Sequence, residues 1–175
     1  DNLVEQMLFY ARSDSVEKDY FVKKVLLEDI VHTAIMNYMD SLIQKKISLD
    51  VYNLENYVYI DEKWITFIIC QVLQNSIKYL NKPEKVIKIH SENNKNNVVL
   101  VIEDNGEGIL DHDLPRVFEY GFTGTDRQKQ YSTGIGLYLC KKLCNKMNLD
   151  IKIESQYKKF TKVKIIFPKT NLYRQ

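Results

Sequence analysis

The residues best suited to chemistry begin on one apolar helical run. Gln71, Asn75, Lys78 and Tyr79 stand at i, i+4, i+7 and i+8, a spacing that puts them on one helix face. Phe67, Ile68, Ile69, Val72, Leu73 and Ile77 make the rest of that helix apolar. It is therefore expected to be buried, and its polar stripe to need partners. An asparagine amide oxygen can ligate Mg2+, whose other ligands are typically waters and phosphate oxygens. Lys78, one turn on, can counter a phosphate charge, and the face of Tyr79 can pack on a base. Taken singly, each is equally an ordinary polar position on a surface helix.

A second group, Asp104-Asn105-Gly106-Glu107-Gly108-Ile109, directly follows the apolar run Val98 to Glu103. Asn-Gly is a common hairpin turn, which is the plain reading. The chemical reading is that an aspartate at a strand end accepts a hydrogen bond from an adenine amino group. Gly106 and Gly108 then let the backbone approach the ligand closely. Two other phosphate-binding loops do not fit. The third glycine of Gly-x-Gly-x-x-Gly falls on Asp111, and no Gly-x-x-x-x-Gly-Lys-Ser/Thr occurs. A third group runs from Phe118-Glu119-Tyr120-Gly121-Phe122-Thr123-Gly124 through a polar stretch to Thr133-Gly134-Ile135-Gly136-Leu137. It reads as a flexible lid leading into a helix whose free N–H groups and positive dipole end can hold phosphate oxygens. A loop followed by a helix start is the alternative. Arg127 and Lys129 are solvated charges unless a triphosphate sits below them.

The elements that must carry these groups follow from periodicity. Leu3, Val4, Met7, Leu8 and Ala11 form a helical stripe near the start. Phe21 to Leu27 reads as a strand. Leu27 to about Lys46 reads as one amphipathic helix, with acids Glu28 and Asp29 in its first turn and Lys45 and Lys46 in its last. Short strands are expected over Ile47 to Tyr52 and Tyr57 to Ile60. The polar-striped helix is expected over about Asp61 to Leu80, stopped by Asn81-Lys82-Pro83. Val86 to His90 and Val98 to Glu103 read as a hairpin turning through Ser91 to Asn97. All 6 glycines lie between Asp104 and Gly136, and a long glycine-bearing connection in a compact domain is usually functional. A helix from Gly136 to Met147 and a hairpin of Leu149 to Glu154 with Thr161 to Phe167 close the pattern. The expected fold is α/β: a two-layer sandwich with a mixed, mostly antiparallel sheet of about five strands and three helices on one face.

Composition narrows the classes. The 175 residues suffice for one domain with its own core, and the 45% apolar and 27% charged residues are ordinary for a globular protein. A net charge of +2, from 25 basic and 23 acidic residues, gives no basis for a nucleic-acid binder. The 3 cysteines, Cys70, Cys140 and Cys144, are expected as core thiols rather than a disulfide framework or metal site. No run approaches the length of a membrane span, and no membrane contact is expected. A start on Asp1, without Met or a basic signal region, suggests a piece of a longer protein.

Asn75-Ser76-Ile77-Lys78-Tyr79, Asp104 to Ile109, Phe118 to Gly124 and Thr133 to Leu137 occur in that order. Together they resemble the N, G1, F and G2 boxes of the sensor histidine kinase ATP-binding domain, in the gyrase–Hsp90–histidine kinase–MutL superfamily, over about Tyr20 to Pro168. The segment to Asp14 resembles the end of the dimerisation and phosphoacceptor hairpin, leaving 15–175 as the ATP-binding domain. Tyr10-Ala11-Arg12, Glu17-Lys18-Asp19-Tyr20 and Gln71-x-x-x-Asn75-Ser76 are most similar to the intramembrane-sensing kinases that respond to antimicrobial peptides and bacitracin.

The resemblance implies a Bergerat-type ATP-binding fold, ATP and Mg2+ as cofactors, and roles by position. Asn75 would ligate Mg2+, Lys78 reach the phosphates and Tyr79 pack on adenine or ribose. Asp104 would bind the adenine amino group, with Gly106, Gly108 and Ile109 shaping the pocket. Gly121, Thr123 and Thr133 would belong to the lid contacts, and Gly134, Gly136 and Leu137 to the helix start under the phosphates. Arg127, with Lys78, would act at the γ-phosphate. Thr161 matches the polar residue that helps hold adenine, although Phe160 stands where the family often has glycine. Gln71 stands where gyrase-like ATPases place a water-activating glutamate; it cannot act as a base, which favours transfer to a protein nucleophile over hydrolysis. None of His32, His90 and His112 lies in a phosphoacceptor motif, so the phosphorylated histidine is expected upstream of Asp1. The implied partners are the chain's own dimerisation domain and a response regulator, and the implied location is the cytoplasmic part of a plasma-membrane sensor.

Overall fold

A computed structural model of the chain describes residues 20–125 and 133–169. The element order is β1 (Lys23–Leu26), α1 (Leu27–Met36), α2 (Met39–Gln44), β2 (Ile47–Tyr52), β3 (Tyr57–Ile60), α3 (Glu62–Tyr79), β4 (Lys85–Asn93), β5 (Asn97–Asp104), a 3-10 turn (Leu114–Arg116), α4 (Gly136–Lys146), β6 (Asp150–Gln156) and β7 (Phe160–Pro168). Five strands form one sheet in the order β2-β4-β5-β7-β6, and β1 pairs with β3 in a separate two-stranded sheet. Only β2 and β4 are parallel within the larger sheet; β4–β5, β5–β7 and β7–β6 are antiparallel. The mixed five-stranded sheet is the one the pattern of hairpins predicts.

Alternation decides which sheet face is covered. Ile87 and Ile89 of β4, Val98, Leu100 and Ile102 of β5, and Val163, Ile165 and Phe167 of β7 are buried on one face. They form one cluster with Ile30, Val31 and Ala34 of α1, Trp64, Ile68 and Leu73 of α3, and Leu139, Leu143 and both Cys140 and Cys144 of α4. The opposite face carries a charge ladder. Asp50, Lys88, Glu103, Lys162 and Glu154 are successive cross-strand neighbours over all five strands, alternating in sign as directly opposed pairs prefer. Lys162 Nζ lies 3.1 Å from Glu103. Such a row is content in water and leaves the helices on the other side.

Three local findings depart from the periodicity reading. The first strand starts only at Lys23, and Leu27 already begins the helix. The helix expected to run to Lys46 is two: Tyr38 leaves helical geometry at φ −118°, ψ 9°, and its carbonyl then accepts the Leu42 N–H at 2.9 Å to start α2. The break turns Leu42 into the core. The hairpin between β4 and β5 is also tighter than its polar residues suggest, because Ser91 is a buried strand residue. Its hydroxyl donates to the Asn53 carbonyl and accepts from Asn56 Nδ2 at 2.8 Å. The turn itself is made by Asn94, whose Oδ1 accepts the N–H groups of Asn96 and Asn97. Among the described residues no helix is long and apolar enough to cross a membrane. The stripe at Leu3 to Ala11, and so the expected boundary near Asp14, lies outside the described residues.

Candidate functional site

Helix α3 starts on a firm cap. Asp61 accepts from Lys63 N at 2.9 Å and Trp64 N at 3.4 Å, satisfying two of the free N–H groups of the first turn. Its polar stripe emerges at the other end. Gln71 and Ser76 are buried and Asn75 half-buried, as a stripe on a core helix must be. Ser76 donates its hydroxyl proton to Asp104 Oδ2 at 2.8 Å, and the Gly106 N–H donates to Oδ1 at 2.9 Å. Asp104, at the end of β5, is only 4% exposed. Burial pushes its carboxyl up to about 6, while the Ser76 and Gly106 bonds pull the other way; desolvation of the anion wins.

The glycine-bearing loop after Asp104 is pinned on both sides. Asn105 Oδ1 accepts the Val86 N–H at 2.9 Å and its Nδ2 donates to the Glu84 carbonyl at 3.0 Å. The Glu107 N–H donates to the Tyr79 carbonyl at 3.1 Å. On the far side, the Ile109 N–H donates to Ser155 Oγ at 2.8 Å and the Lys158 N–H to the Glu107 carbonyl. Gly108, at φ +71°, passes so close to the β6–β7 turn that a Cβ would lie 2.2 Å from the Gln156 carbonyl oxygen, which leaves room for glycine alone.

The segment before α4 is tied in the same way. Gly121 N–H donates to the Gly134 carbonyl at 3.0 Å, and a Cβ on Gly134 (φ +66°) would lie 2.3 Å from Gly121 C. Asp113, 5% exposed, accepts both the N–H and the hydroxyl of Thr125 on Oδ2 at 3.1 Å. Helix α4 has no side-chain cap, and a helix start of this kind suits an anion.

These elements enclose a cavity of about 350 Å3, within the range of small-ligand sites. Asn75, Lys78, Tyr79, Asp104, Gly108 and Ile109 line it, as do Thr123, Thr133, Gly134, Gly136, Leu137 and Thr161. Gly106 and Gly121 do not line it; they act behind it through the bonds above. Arg127 and Lys129 lie outside the described residues. Residues that sequence reasoning gave no role also converge here: Ser76, Asp113, Phe122, Ile153, Tyr157 and Val163. Ile153 and Val163 are adjacent on β6 and β7 and supply apolar surface beside Thr161.

The combination suits a ligand with a flat base that donates a hydrogen bond and an anionic tail. Asp104 accepts, Ile109, Ile153 and Val163 are apolar, and Asn75, Lys78 and the start of α4 are suited to phosphates. Among the described residues no group of three or more His, Cys, Asp or Glu could hold a metal ion. A lone Asn75 amide fits a Mg2+ that arrives with phosphate oxygens and waters completing its shell.

The model of the histidine kinase-, DNA gyrase B- and HSP90-like ATPases matches residues 60–171. The chain belongs to this ATPase family. Its site accordingly lies where all four sequence boxes meet, between α3, the glycine-bearing loop, the start of α4 and the closing hairpin. The sensor protein BceS of Halalkalibacterium halodurans is 36% identical over 97% of this chain and 50% of its own length. The sensor protein kinase GraS of Staphylococcus aureus is 35% identical over 98% of this chain and 49% of its own. The chain thus spans about half the length of the curated relatives it matches. In fold it is similar to the nucleotide-free catalytic domain of histidine kinase ThkA, with a TM-score of 0.72 at 20% identity over 85% of this chain and 96% of that one. In this chain the helix carries an amide, Gln71, four residues before Asn75, and Ser76 donates its hydroxyl proton to the buried aspartate.

Proposed function

We propose that this chain is the ATP-binding catalytic domain of a two-component sensor histidine kinase. Residues 15–175 form that domain, and 1–14 end a dimerisation and phosphoacceptor hairpin. The observation that supports it most is the buried Asp104, held by Ser76 and Gly106 in one cavity with Asn75, Lys78 and the start of α4. In this reading Asp104 and Thr161 hold the adenine amino side, Tyr79 and Ile109 flank the base, and Asn75 ligates the Mg2+ of Mg-ATP. Lys78, Arg127 and the Gly134 to Leu137 segment meet the phosphates, with Gly121, Thr123 and Thr133 ordering the lid side.

A histidine nitrogen on the dimerisation domain attacks the γ-phosphorus, the bond to the β,γ-bridging oxygen breaks, and ADP leaves. The protein's task is positioning and charge neutralisation. Gln71, which cannot activate water, supports transfer over hydrolysis. The phosphoryl group then passes to an aspartate of a response regulator. The whole protein is read as a plasma-membrane sensor of antimicrobial peptides with this domain in the cytoplasm.

Calorimetric titration with a non-hydrolysable Mg-ATP analogue tests the reading. The parent should bind, and Asp104→Asn and Asn75→Ala should lose most of the affinity. Equal uptake by all three would refute it.

A further inference from the structure

Asp104, Thr161 and Ser155 occupy one cross-strand row: Thr161 of β7 is the direct partner of Asp104 on β5 and of Ser155 on β6. Side chains so opposed share a sheet face, here the face that closes the cavity. Ser155 has one proton and two lone pairs to place. Its Oγ lies 2.6 Å from the Phe160 carbonyl oxygen, which can only accept, so the proton goes there. The Ile109 N–H donates into one lone pair at 2.8 Å. Thr161 Oγ1, at 3.2 Å, then meets an oxygen with no proton left, and its own hydroxyl must be the donor. With that proton spent on Ser155, Thr161 offers only lone pairs to the cavity it lines.

We propose that Ser155 is a positioning residue for base recognition: it holds the Thr161 hydroxyl as an acceptor, so that Thr161 and Asp104 together select a base bearing an exocyclic amino group. The inference rests on the nucleotide-binding reading above and adds the source of its base selectivity. The Ile109 bond gives Ser155 a second task, holding the glycine-bearing loop against the closing hairpin. That task affects any nucleotide alike, whereas the Thr161 bond matters only where an amino group is presented.

The test compares Mg-ATP with the Mg complex of purine riboside triphosphate, which lacks only the 6-amino group, in calorimetric titrations of the 175-residue chain. The parent should prefer ATP. Ser155→Ala and Thr161→Val should each lower the ATP preference by about threefold to tenfold, the worth of one neutral hydrogen bond. The double variant should lower it no further, because both substitutions remove one arrangement. Ser155→Thr, which keeps the hydroxyl, should restore the preference, and thermal unfolding of each variant verifies that it is folded. Equal loss of both nucleotides in Ser155→Ala, multiplying losses in the double variant, or no change at all would overturn the inference while leaving the ATP site standing. A parent that binds neither nucleotide would overturn the site reading itself, and the inference with it.

Discussion

Acidifying the empty domain through about pH 6 is expected to stabilise it while weakening its hold on nucleotide. Burial keeps the Asp104 carboxyl at about 6 against 3.8 for an unperturbed aspartate. Between those values the folded state holds a proton that the unfolded chain has lost, so stability falls as pH rises through the window. The gap of about 2 units corresponds to about 3 kcal/mol, present at the acid end and gone above pH 6. Binding has the opposite sign. The anion is the better acceptor for an amino group, and protonation takes part of its acceptor capacity away.

Ser76→Ala sharpens the test. It removes a donor 2.8 Å from the buried carboxylate, and hydrogen bonds to charged groups contribute about 1.5–3 kcal/mol. The folded pKa of Asp104 should therefore rise by a further one to two units or so. The acid limb of nucleotide affinity moves with it to near-neutral pH, and the variant is less stable than the parent chiefly at neutral pH and above. The assay is Mg-ADP calorimetry and thermal unfolding of the empty protein across the pH range. The phosphates' own ionisation is common to parent and Ser76→Ala and cancels in their comparison, while Asp104→Asn, which cannot titrate there, is the reference for the stability of the empty protein. Coincident acid limbs in parent and Ser76→Ala would refute the reasoning. So would an empty parent that, relative to Asp104→Asn, gains stability as the pH rises from about 4 to 6.

Gly108→Ala combines a left-handed backbone with a Cβ 2.2 Å from Gln156 O and should cost at least about 2 kcal/mol, seen as a lower unfolding temperature together with lost nucleotide binding. Asp113→Ala strands the Thr125 N–H and should speed amide exchange at Thr125, whereas Asp113→Asn, which keeps an acceptor, should not; equal exchange in both variants would contradict the tie. Burial raises the Cys140 thiol well above its usual range and the Cys144 thiol to about 12, so alkylation near neutral pH should label the half-buried Cys70 first and the other two only on unfolding. Rapid labelling of all three in the native state would contradict the packing of α4.

The elements that hold the site were legible where local chemistry decides them. The 3.6-residue stripe of Asp61 to Leu80 and the alternation in Ile47 to Tyr52 and Tyr57 to Ile60 match the observed elements closely. Less legible were decisions made by distant partners. Ser91 looks like a turn residue until Asn53 and Asn56 satisfy its hydroxyl inside β4. The break at Tyr38 depends on which face the next turn can bury, and Asn37, the C-cap of α1, is a stop signal too weak to end a stripe that continues beyond it. In the site, Asn75, Asp104 and Gly134 stood out by type and spacing. Ser76 stands in a recognisable box but has no role of its own there, and Ser155 falls between the expected strands Leu149 to Glu154 and Thr161 to Phe167, although it lies within β6. Their partners lie 28 and 46 residues away in sequence, so only the packing of α3 on the end of β5 and the docking of the glycine-bearing loop against β6 reveal them.

That difference has a physical cause. A buried carboxylate such as Asp104 is costly wherever it stands, and the chain tolerates it only with donors on both oxygens. Costly groups are conspicuous in a sequence because they break the apolar pattern around them. The residues that make them affordable are small, neutral and cheap to place, and so leave no mark on composition or periodicity. Asp104 is visible because it ends an apolar strand and is followed by Gly106 and Gly108. Ser76 and Ser155 break no pattern, yet without their hydrogen bonds the aspartate and its loop would have no fixed place from which to recognise a ligand.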